Sequence, residues 1–375
     1  MEVIGTVAAF LGVLIVLVLV HELGHFVVAK RAGITVEEFG VGFPPRIASV
    51  MWRGTRYSLN SIPLGGFVKM LGEDGDVEIR RLREQGLSED QVERAMAGAF
   101  NRRPIWVRVA VLLAGVAMNF VLAAGLFAAA VSLPALIGHG PLTVVTVHED
   151  SPAEDELEIG DEIVAADGQS FERSADLTEY VAERAGFVVE LTVLRGGDEI
   201  EVPIIPRSVS AEDRARGIGP VGFTYEPERL VEEPSTVTGP LDAIGRGTAA
   251  AWMLAIQIPG GLADAVGGLI GLNPDGGDAM GPIGIAQETG RVLEAPLVSQ
   301  LLFVGVLSIN LAVLNVLPFP PLDGGRIAVV LLESARRRKL PTEREALIYL
   351  TGFAVLMALI ILISIQDIQR LLNGA

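Results

Sequence analysis

Residues 3–29 read VIGTVAAFLGVLIVLVLVHELGHFVVA, and this stretch decides the class of the protein. Its first 18 residues carry no charge, and about 20 apolar residues span a bilayer. The apolar run resumes after His25, so the stretch predicts one membrane helix that carries His21, Glu22 and His25 near its end. The residues before it hold Glu2 and no base, and no small-residue cleavage site follows, so we expect this helix in the mature protein.

Three further uncharged stretches are long enough to span a bilayer, namely 109–138, 295–322 and 346–366. A fifth apolar stretch, 247–263, is interrupted by Pro259-Gly260-Gly261, and we expect it to be interfacial or partly embedded. Half of all residues are hydrophobic and only 20% are charged, against about a quarter in soluble domains. The sequence therefore predicts a polytopic α-helical membrane protein with about four transmembrane helices.

Charge predicts the orientation and excludes some functions. The net charge of −17 argues against a nucleic-acid binder, and the absence of cysteine excludes disulfides and thiolate metal sites. Residues 30–108 hold 13 Lys and Arg and residues 335–345 hold five, whereas 139–294 hold nine Arg, no Lys and 29 acids. By the positive-inside rule the two basic loops are cytoplasmic. The acidic segment and both termini are then extracytoplasmic.

The sequence His21-Glu22-Leu23-Gly24-His25 predicts a metal site. Residues i and i+4 share one face of a helix, so both imidazoles can bind one ion, with Glu22 beside them to accept a proton from water. The alternative is a helix end with interfacial histidines, but ionisable groups in a membrane are costly and point to function. Asp323 is the ionisable residue of the third apolar run, and the topology places it at the same cytoplasmic depth. Zinc with three protein ligands and an open position lowers the pKa of water to about 7.

Two segments predict β structure. Residues 34–75 are rich in Gly and Pro and have short β-like runs, which predicts a membrane-associated β-hairpin region. Residues 141–206 alternate short apolar runs with turns, and the order of these elements resembles a bacterial, circularly permuted PDZ domain. We therefore divide the chain at sequence level into four parts: an N-terminal membrane domain (1–138), an inserted small α+β PDZ-like domain (139–208), a linker with interfacial or amphipathic segments (209–294) and a C-terminal membrane domain (295–375).

Taken in order, the motifs resemble the site-2 protease family of intramembrane zinc metalloproteases, most of all the bacterial regulator-of-sigma-E protease branch. The resemblance rests on His21–His25 and on a set of later motifs, namely Ile62–Met70, Phe100–Pro104 leading to Ala114-Gly115 and Asn119, Gly281–Ile285 and Asn315-x-x-Pro318-x-Pro320-x-x-Asp323-Gly324. It covers nearly the whole chain. One departure is Arg326, where relatives often have His; that position is not a family metal ligand.

The resemblance implies a function and a site. His21, His25 and Asp323 would hold Zn2+, and Glu22 would act as general base and then acid. The substrate would be the transmembrane helix of another protein, and it must unwind to be cut. Its freed backbone groups would need partners, which the hairpin segment with Gly65 and Gly66, and the amides of Asn310 and Asn315, would supply.

The resemblance also implies partners and a location. Substrates would be single-span membrane proteins, such as an anti-sigma factor or a signal-peptide remnant, in the cytoplasmic (inner) membrane. The PDZ-like domain would contact the substrate ectodomain or its C-terminus outside, while the active site lies near the cytoplasmic side. Two alternatives remain open. One is a transporter or channel, which four helices without paired halves disfavour. The other is a catalytically inactive PDZ-containing scaffold with a structural zinc, for which Glu22 has no use.

Overall fold

A computed structural model gives the structure of the chain, and it describes residues 2–73, 77–86, 88–209, 219–269, 280–338 and 340–373. Contacts divide the chain into two units. The first, here called the membrane unit, comprises Met1–Ala130, Gly239–Ile258 and Met280–Ala375. The second, here called the sheet unit, comprises Val131–Thr238 and Pro259–Ala279. Each unit is described separately.

The membrane unit is built mainly from helices, because its sequence consists largely of long apolar runs. Its helices are α1 (Glu2–Arg31), α2 (Val77–Glu84), α3 (Glu89–Ala95), α4 (Ile105–Ser132), α6 (Pro240–Leu269), α7 (Pro282–Glu294), α8 (Leu297–Val316), α9 (Asp323–Arg336) and α10 (Thr342–Asn373). The ends of α4 and α6 extend into the other unit. In the described part of the chain five helices, α1, α4, α6, α8 and α10, are long and apolar enough to cross a membrane. Several apolar helices were expected, and the structure contains them.

Helix α6 differs from the sequence expectation. We expected Pro259 to interrupt this helix, but the helix continues through the proline to Leu269. Its first half packs along α4, where a side chain at Gly247 would meet the backbone of Ala128. Helix α7, which follows α6, contacts the start of α1, where Gly290 lies against Thr6. The start of α6 and the second half of α7 therefore lie at the same end of α1 and α4.

The β-hairpin region expected from residues 34–75 consists of strands β1 (Val36–Trp52) and β2 (Thr55–Met70). They are longer than the short predicted runs. The register is irregular: Phe39 is paired with both Val68 and Tyr57, so the first half of β1 lies between two segments of β2. Within the described residues, β1 is the only strand that pairs with the segment 62–70, so no strand covers the other edge of this segment.

The sheet unit contains a six-stranded sheet and one short helix. Its elements are β3 (Ala135–Val147), β4 (Glu162–Ala166), β5 (Gln169–Ser170), α5 (Ser174–Glu183), β6 (Val189–Arg195), β7 (Asp198–Ile204) and β8 (Phe223–Glu233). The strand order is β7-β6-β4-β3-β8, with β5 beside β4. Helix α5 buries Leu177 and Val181 against one face of the sheet, where they join a core that contains Leu142, Ile163 and Leu191.

The sheet extends into the segment 209–294, because β8 lies within that segment and pairs along β3 from His139 to Val147. His139 is 7% exposed. It is buried because its Nε2 lies 2.8 Å from Oε1 of Glu233, which the pairing of β8 with β3 brings beside it. The part 210–218 of this linker lies outside the described residues.

Candidate metal centre

The site begins on α1, near the end that precedes the hairpin. His21 and His25 are one helical turn apart and therefore lie on one face. Both side chains are buried, and their Nε2 atoms are 3.1 Å apart. Glu22, between them in sequence, is half-buried.

Asp323 is the first residue of α9 and comes from a distant part of the chain. Its Oδ2 lies 2.9 Å from Nε2 of His21 and 3.2 Å from Nε2 of His25. The two glycines that follow allow this approach, since a side-chain carbon at Gly325 would lie 2.7 Å from the carbonyl carbon of Phe319. Helix α9 therefore starts against the turn that ends α8, and that turn presents the Asp323 carboxylate to the histidines.

The donor set fits a bound cation. Nδ1 of His25 lies 2.8 Å from the carbonyl oxygen of Val111, which can only accept, so this nitrogen carries the proton. Nε2 of His25 then has a lone pair facing the carboxylate of Asp323, and the two repel each other unless positive charge lies between them. Ligand atoms about 2.0–2.1 Å from zinc in a tetrahedron lie about 3.4 Å apart. The three observed separations of 2.9–3.2 Å are close to this value.

Helix α4 supplies a wall of this site that sequence reasoning did not assign. It runs antiparallel to α1, with Val111 beside His25 and Gly115 beside His21. A side-chain carbon at Gly115 would lie 2.7 Å from Cε1 and 2.8 Å from Nε2 of His21. On α1, a side-chain carbon at Gly24 would lie 2.6 Å from the carbonyl carbon of Ala114. Two glycines therefore let the helices approach closely at the level of the histidines. A glycine in an apolar helix signals such contact only weakly.

Glu22 faces a polar cavity of about 160 Å3. The residues that line it are Glu22, His25, Phe67, Val68, Met70, Glu73, Leu112, Asp323 and Arg326. The site therefore places a carboxylate, three potential metal ligands and room for water next to one another. This combination can perform metal-assisted hydrolysis with an acid/base group.

The structure also brings the hairpin to this cavity. Gly66 of β2 lies beside Glu22, since a side-chain carbon at residue 66 would be 3.6 Å from Cγ of Glu22 and 2.9 Å from the carbonyl oxygen of Gly40. Gly65 has a φ of 104°, a left-handed conformation that favours glycine. Both glycines belong to the segment with the free edge, so an extended peptide added to that edge would pass Glu22.

The two asparagines expected to bind substrate differ in their contacts. Nδ2 of Asn310 donates to the carbonyl oxygen of Val306 at 3.0 Å, so this amide is used within α8. Asn315 is half-buried and makes no hydrogen bond with any described residue. Asn315 can therefore offer its whole amide to another backbone, and Asn310 can offer its Oδ1 and its second N–H.

Comparisons with known proteins find relatives along nearly the whole chain. The model of the family described as Peptidase family M50 matches residues 9–359. A relative from Clostridium perfringens, named among the zinc metalloproteases, is 35% identical over 353 residues, which are 94% of this chain and 95% of the relative. The regulator of sigma-W protease RasP from Bacillus subtilis is 28% identical over 98% of this chain and 99% of its own length. A PDZ domain of a Listeria monocytogenes SdrC-like protein matches 23% of this chain and 87% of its own, at 26% identity and a TM-score of 0.20.

Proposed function

The chain belongs to peptidase family M50 and is a zinc metalloprotease of the site-2 type, and from this we propose that it cuts single-span membrane proteins within or near their transmembrane helix. One observation carries the proposal. The donor atoms of His21, His25 and Asp323 converge beside the Glu22 cavity, and His21 and His25 lie within a helix apolar enough to span a bilayer. A protease that acted only on soluble substrates would have no need of a site in that position.

Each residue then has a role. His21, His25 and Asp323 would hold the zinc ion, and the hydrogen bond from His25 to Val111 fixes which imidazole nitrogen faces it. Zinc supplies a Lewis acid and lowers the pKa of water. Glu22 takes a proton from the attacking water and later passes it to the nitrogen of the leaving amine.

The substrate helix must unwind before it is cut, because its peptide bonds are hidden in their own hydrogen-bond ladder. No backbone partner is available in lipid. The free edge of the segment 62–70 would pair with the unwound stretch at Gly65 and Gly66. The side-chain amide of Asn315 would accept or donate one further bond, and the Oδ1 and second N–H of Asn310 would do the same.

We infer the orientation from charge and from the packing of α1, α4 and α7. The basic loops 30–108 and 335–345 would be cytoplasmic. The start of α6 and helix α7 lie at the opposite end of α1 and α4, so α6 adds no net crossing. This gives four crossings of the cytoplasmic membrane, with both termini and residues 131–238 of the sheet unit outside.

The sheet unit would act as the PDZ-like contact for a substrate ectodomain or its C-terminus. Strand β8 is at one end of the sheet, so in the described part of the chain its second edge is unpaired. Beside it, Leu177, Val181, Phe223 and Tyr225 line a small apolar pocket. An extended peptide could add to such an edge with one side chain in the pocket. The Bacillus subtilis relative is named for regulating a sigma factor, so membrane-bound anti-sigma factors are the first substrates to test, and signal-peptide remnants the second.

The test is cleavage of a co-reconstituted single-span substrate with a short ectodomain by the wild-type protein and by Glu22→Gln. Zinc content is measured in both samples. We expect both to bind zinc and only the wild type to cleave. If Glu22→Gln cleaves at the wild-type rate, the assigned role of Glu22 is wrong. If both bind zinc and neither cleaves any substrate of a panel of single-span proteins, the inactive scaffold with structural zinc is the better description.

A further inference from the structure

A partly buried ion pair joins the hairpin to the helix that carries Asp323. Arg326 lies on α9, three residues after Asp323, and its Nη2 pairs with Oε1 of Glu73. Glu73 follows the end of β2 by three residues. Resting on the function proposed above, we propose that the Glu73–Arg326 pair positions the substrate-binding edge of β2 against the metal ligands and so selects the peptide bond that is cut.

The geometry of Glu73 supports this role. One oxygen of its carboxylate pairs with Arg326, and the other accepts a hydrogen bond of 3.1 Å from the backbone N–H of Met70. Met70 is the last residue of β2. A single carboxylate therefore connects the end of the edge segment to the helix that begins with Asp323.

The pair lies at the catalytic cavity and not in a remote part of the fold. Glu73 and Arg326 line the cavity of Glu22, and both also line a neighbouring cavity of about 420 Å3. Among the described residues that line the Glu22 cavity, Arg326 is the one permanently charged cation. The side chains are 29% and 15% exposed for Arg326 and Glu73. Mostly buried ion pairs add little to stability, because desolvation offsets their attraction. Stability therefore does not account for this ion pair, whereas a positioning role does.

Register matters for a peptide bound along a strand. Successive residues of an extended chain are about 3.3 Å apart and alternate sides. A slip of one residue would bring a different peptide bond to Glu22 and present its carbonyl from the opposite side. An error of about 1 Å can cost on the order of 100-fold in rate. The edge of β2 and the metal ligands must therefore keep a fixed relative position, which the Glu73–Arg326 pair provides.

The variants Glu73→Gln and Arg326→Gln remove the charge pair with little change in volume. Arg326→Lys keeps the charge but loses the planar donor group. Arg108→Gln is the matched control, because Arg108 pairs with Glu333 of the same helix α9 at 3.6 Å but does not line the Glu22 cavity.

The first measurement is mass spectrometry of the products of a single-span substrate, together with kcat, KM and zinc content. We expect wild type and Arg108→Gln to cut one main bond. Glu73→Gln and Arg326→Gln should keep zinc, lose about 100-fold in kcat at that bond and cut neighbouring bonds. Arg326→Lys should be intermediate. The proposal is overturned if both Gln variants keep the wild-type cleavage position. If the wild type cuts nothing, the proposed function fails instead.

The second measurement needs neither zinc nor activity. The chain has no cysteine, so cysteines introduced at Ile62 on β2 and Leu331 on α9, both exposed, can carry spin labels. In the metal-free protein we expect a narrow distance distribution in the parent and in Arg108→Gln, and a broad one in Glu73→Gln and Arg326→Gln. Equal widths in all four proteins would overturn the proposal, including for variants too inactive to assay.

Discussion

Gly115→Ala tests the metal site through a residue that is not a ligand. The added methyl group would lie closest to Nε2 of His25, and it would also lie 2.7 Å from Cε1 and 2.8 Å from Nε2 of His21. Non-bonded carbon atoms are best separated by about 3.5–4.0 Å. Both imidazoles would therefore have to move, by about 1 Å. Movement of His25 would also break the hydrogen bond from its Nδ1 to the carbonyl oxygen of Val111.

The size of the expected loss of zinc affinity follows from the small displacements that metal ligands tolerate. Metal–ligand distances are held within about 0.2 Å, so a displacement of about 1 Å would remove His21 as an effective ligand. Disturbing the groups that merely orient ligands costs about 10–100-fold in metal affinity, and we expect at least this loss. Ala is favoured over Gly in a helix by up to about 1 kcal/mol. The metal-free Gly115→Ala protein should therefore lose much less stability than zinc affinity.

The assay is competition for zinc by chelators of graded affinity, with purified protein in one detergent. Gly125→Ala is the control, since it makes the same change in the same helix and no heavy atom lies within 4 Å of the added carbon. We expect Gly125→Ala to bind zinc like the wild type and Gly115→Ala to lose zinc and cleavage together. Equal zinc affinity in the two variants would refute the packing argument.

Three further predictions follow from other contacts. In the sheet unit, burial raises the pKa of Asp161, but hydrogen bonds from Arg195 and from a backbone N–H outweigh it, so the pKa is lowered overall. The carboxylate thus stabilises the fold above its unfolded pKa of about 4, and the contribution is lost as pH falls through the folded value. Amide exchange in β4 and β6, corrected for intrinsic rates, should accelerate at acid pH in wild type and already be fast at pH 7 in Arg195→Gln. Asp367→Ala removes a buried carboxylate that accepts hydrogen bonds from two backbone N–H groups at the start of α7. It should therefore lower the free energy of unfolding by about 1–3 kcal/mol and lower the Tm in detergent. Asp367→Asn should give a Tm between those of the wild type and Asp367→Ala. Gly66→Ala crowds the backbone of β1 and the space beside Glu22, and should reduce kcat/KM at least about tenfold at unchanged zinc content.

The membrane helices and the convergence of ligands were accessible from sequence because simple rules govern both. Apolar length predicts a span, and helical spacing places His21 and His25 on one face. Counting crossings then places Asp323 at the same depth as the histidines, and the structure brings the three side chains together.

Other features depend on contacts that no local pattern encodes. The segment of β8 contains Pro227 and several glutamates, which disfavour a strand, and pairing with β3 overrides that preference. The residues Glu73 and Arg326 are 253 positions apart, so their pairing depends on the folded arrangement of β2 and α9. For Gly115, the family resemblance includes the Ala114-Gly115 pair, but the sequence does not show that this glycine lies against the histidines.

The close contact of α1 with α4 also limits how a substrate reaches the site from the lipid. Widening that seam would pull Val111 from His25 and Gly115 from His21, so a helix that wedged between α1 and α4 would dismantle the centre it needs. On the function proposed above, lateral diffusion toward the enzyme would therefore be productive from one direction, the side that presents the edge of β2. In a crowded bilayer, rotational orientation at the moment of collision would then help to determine, together with affinity, which single-span proteins are cleaved.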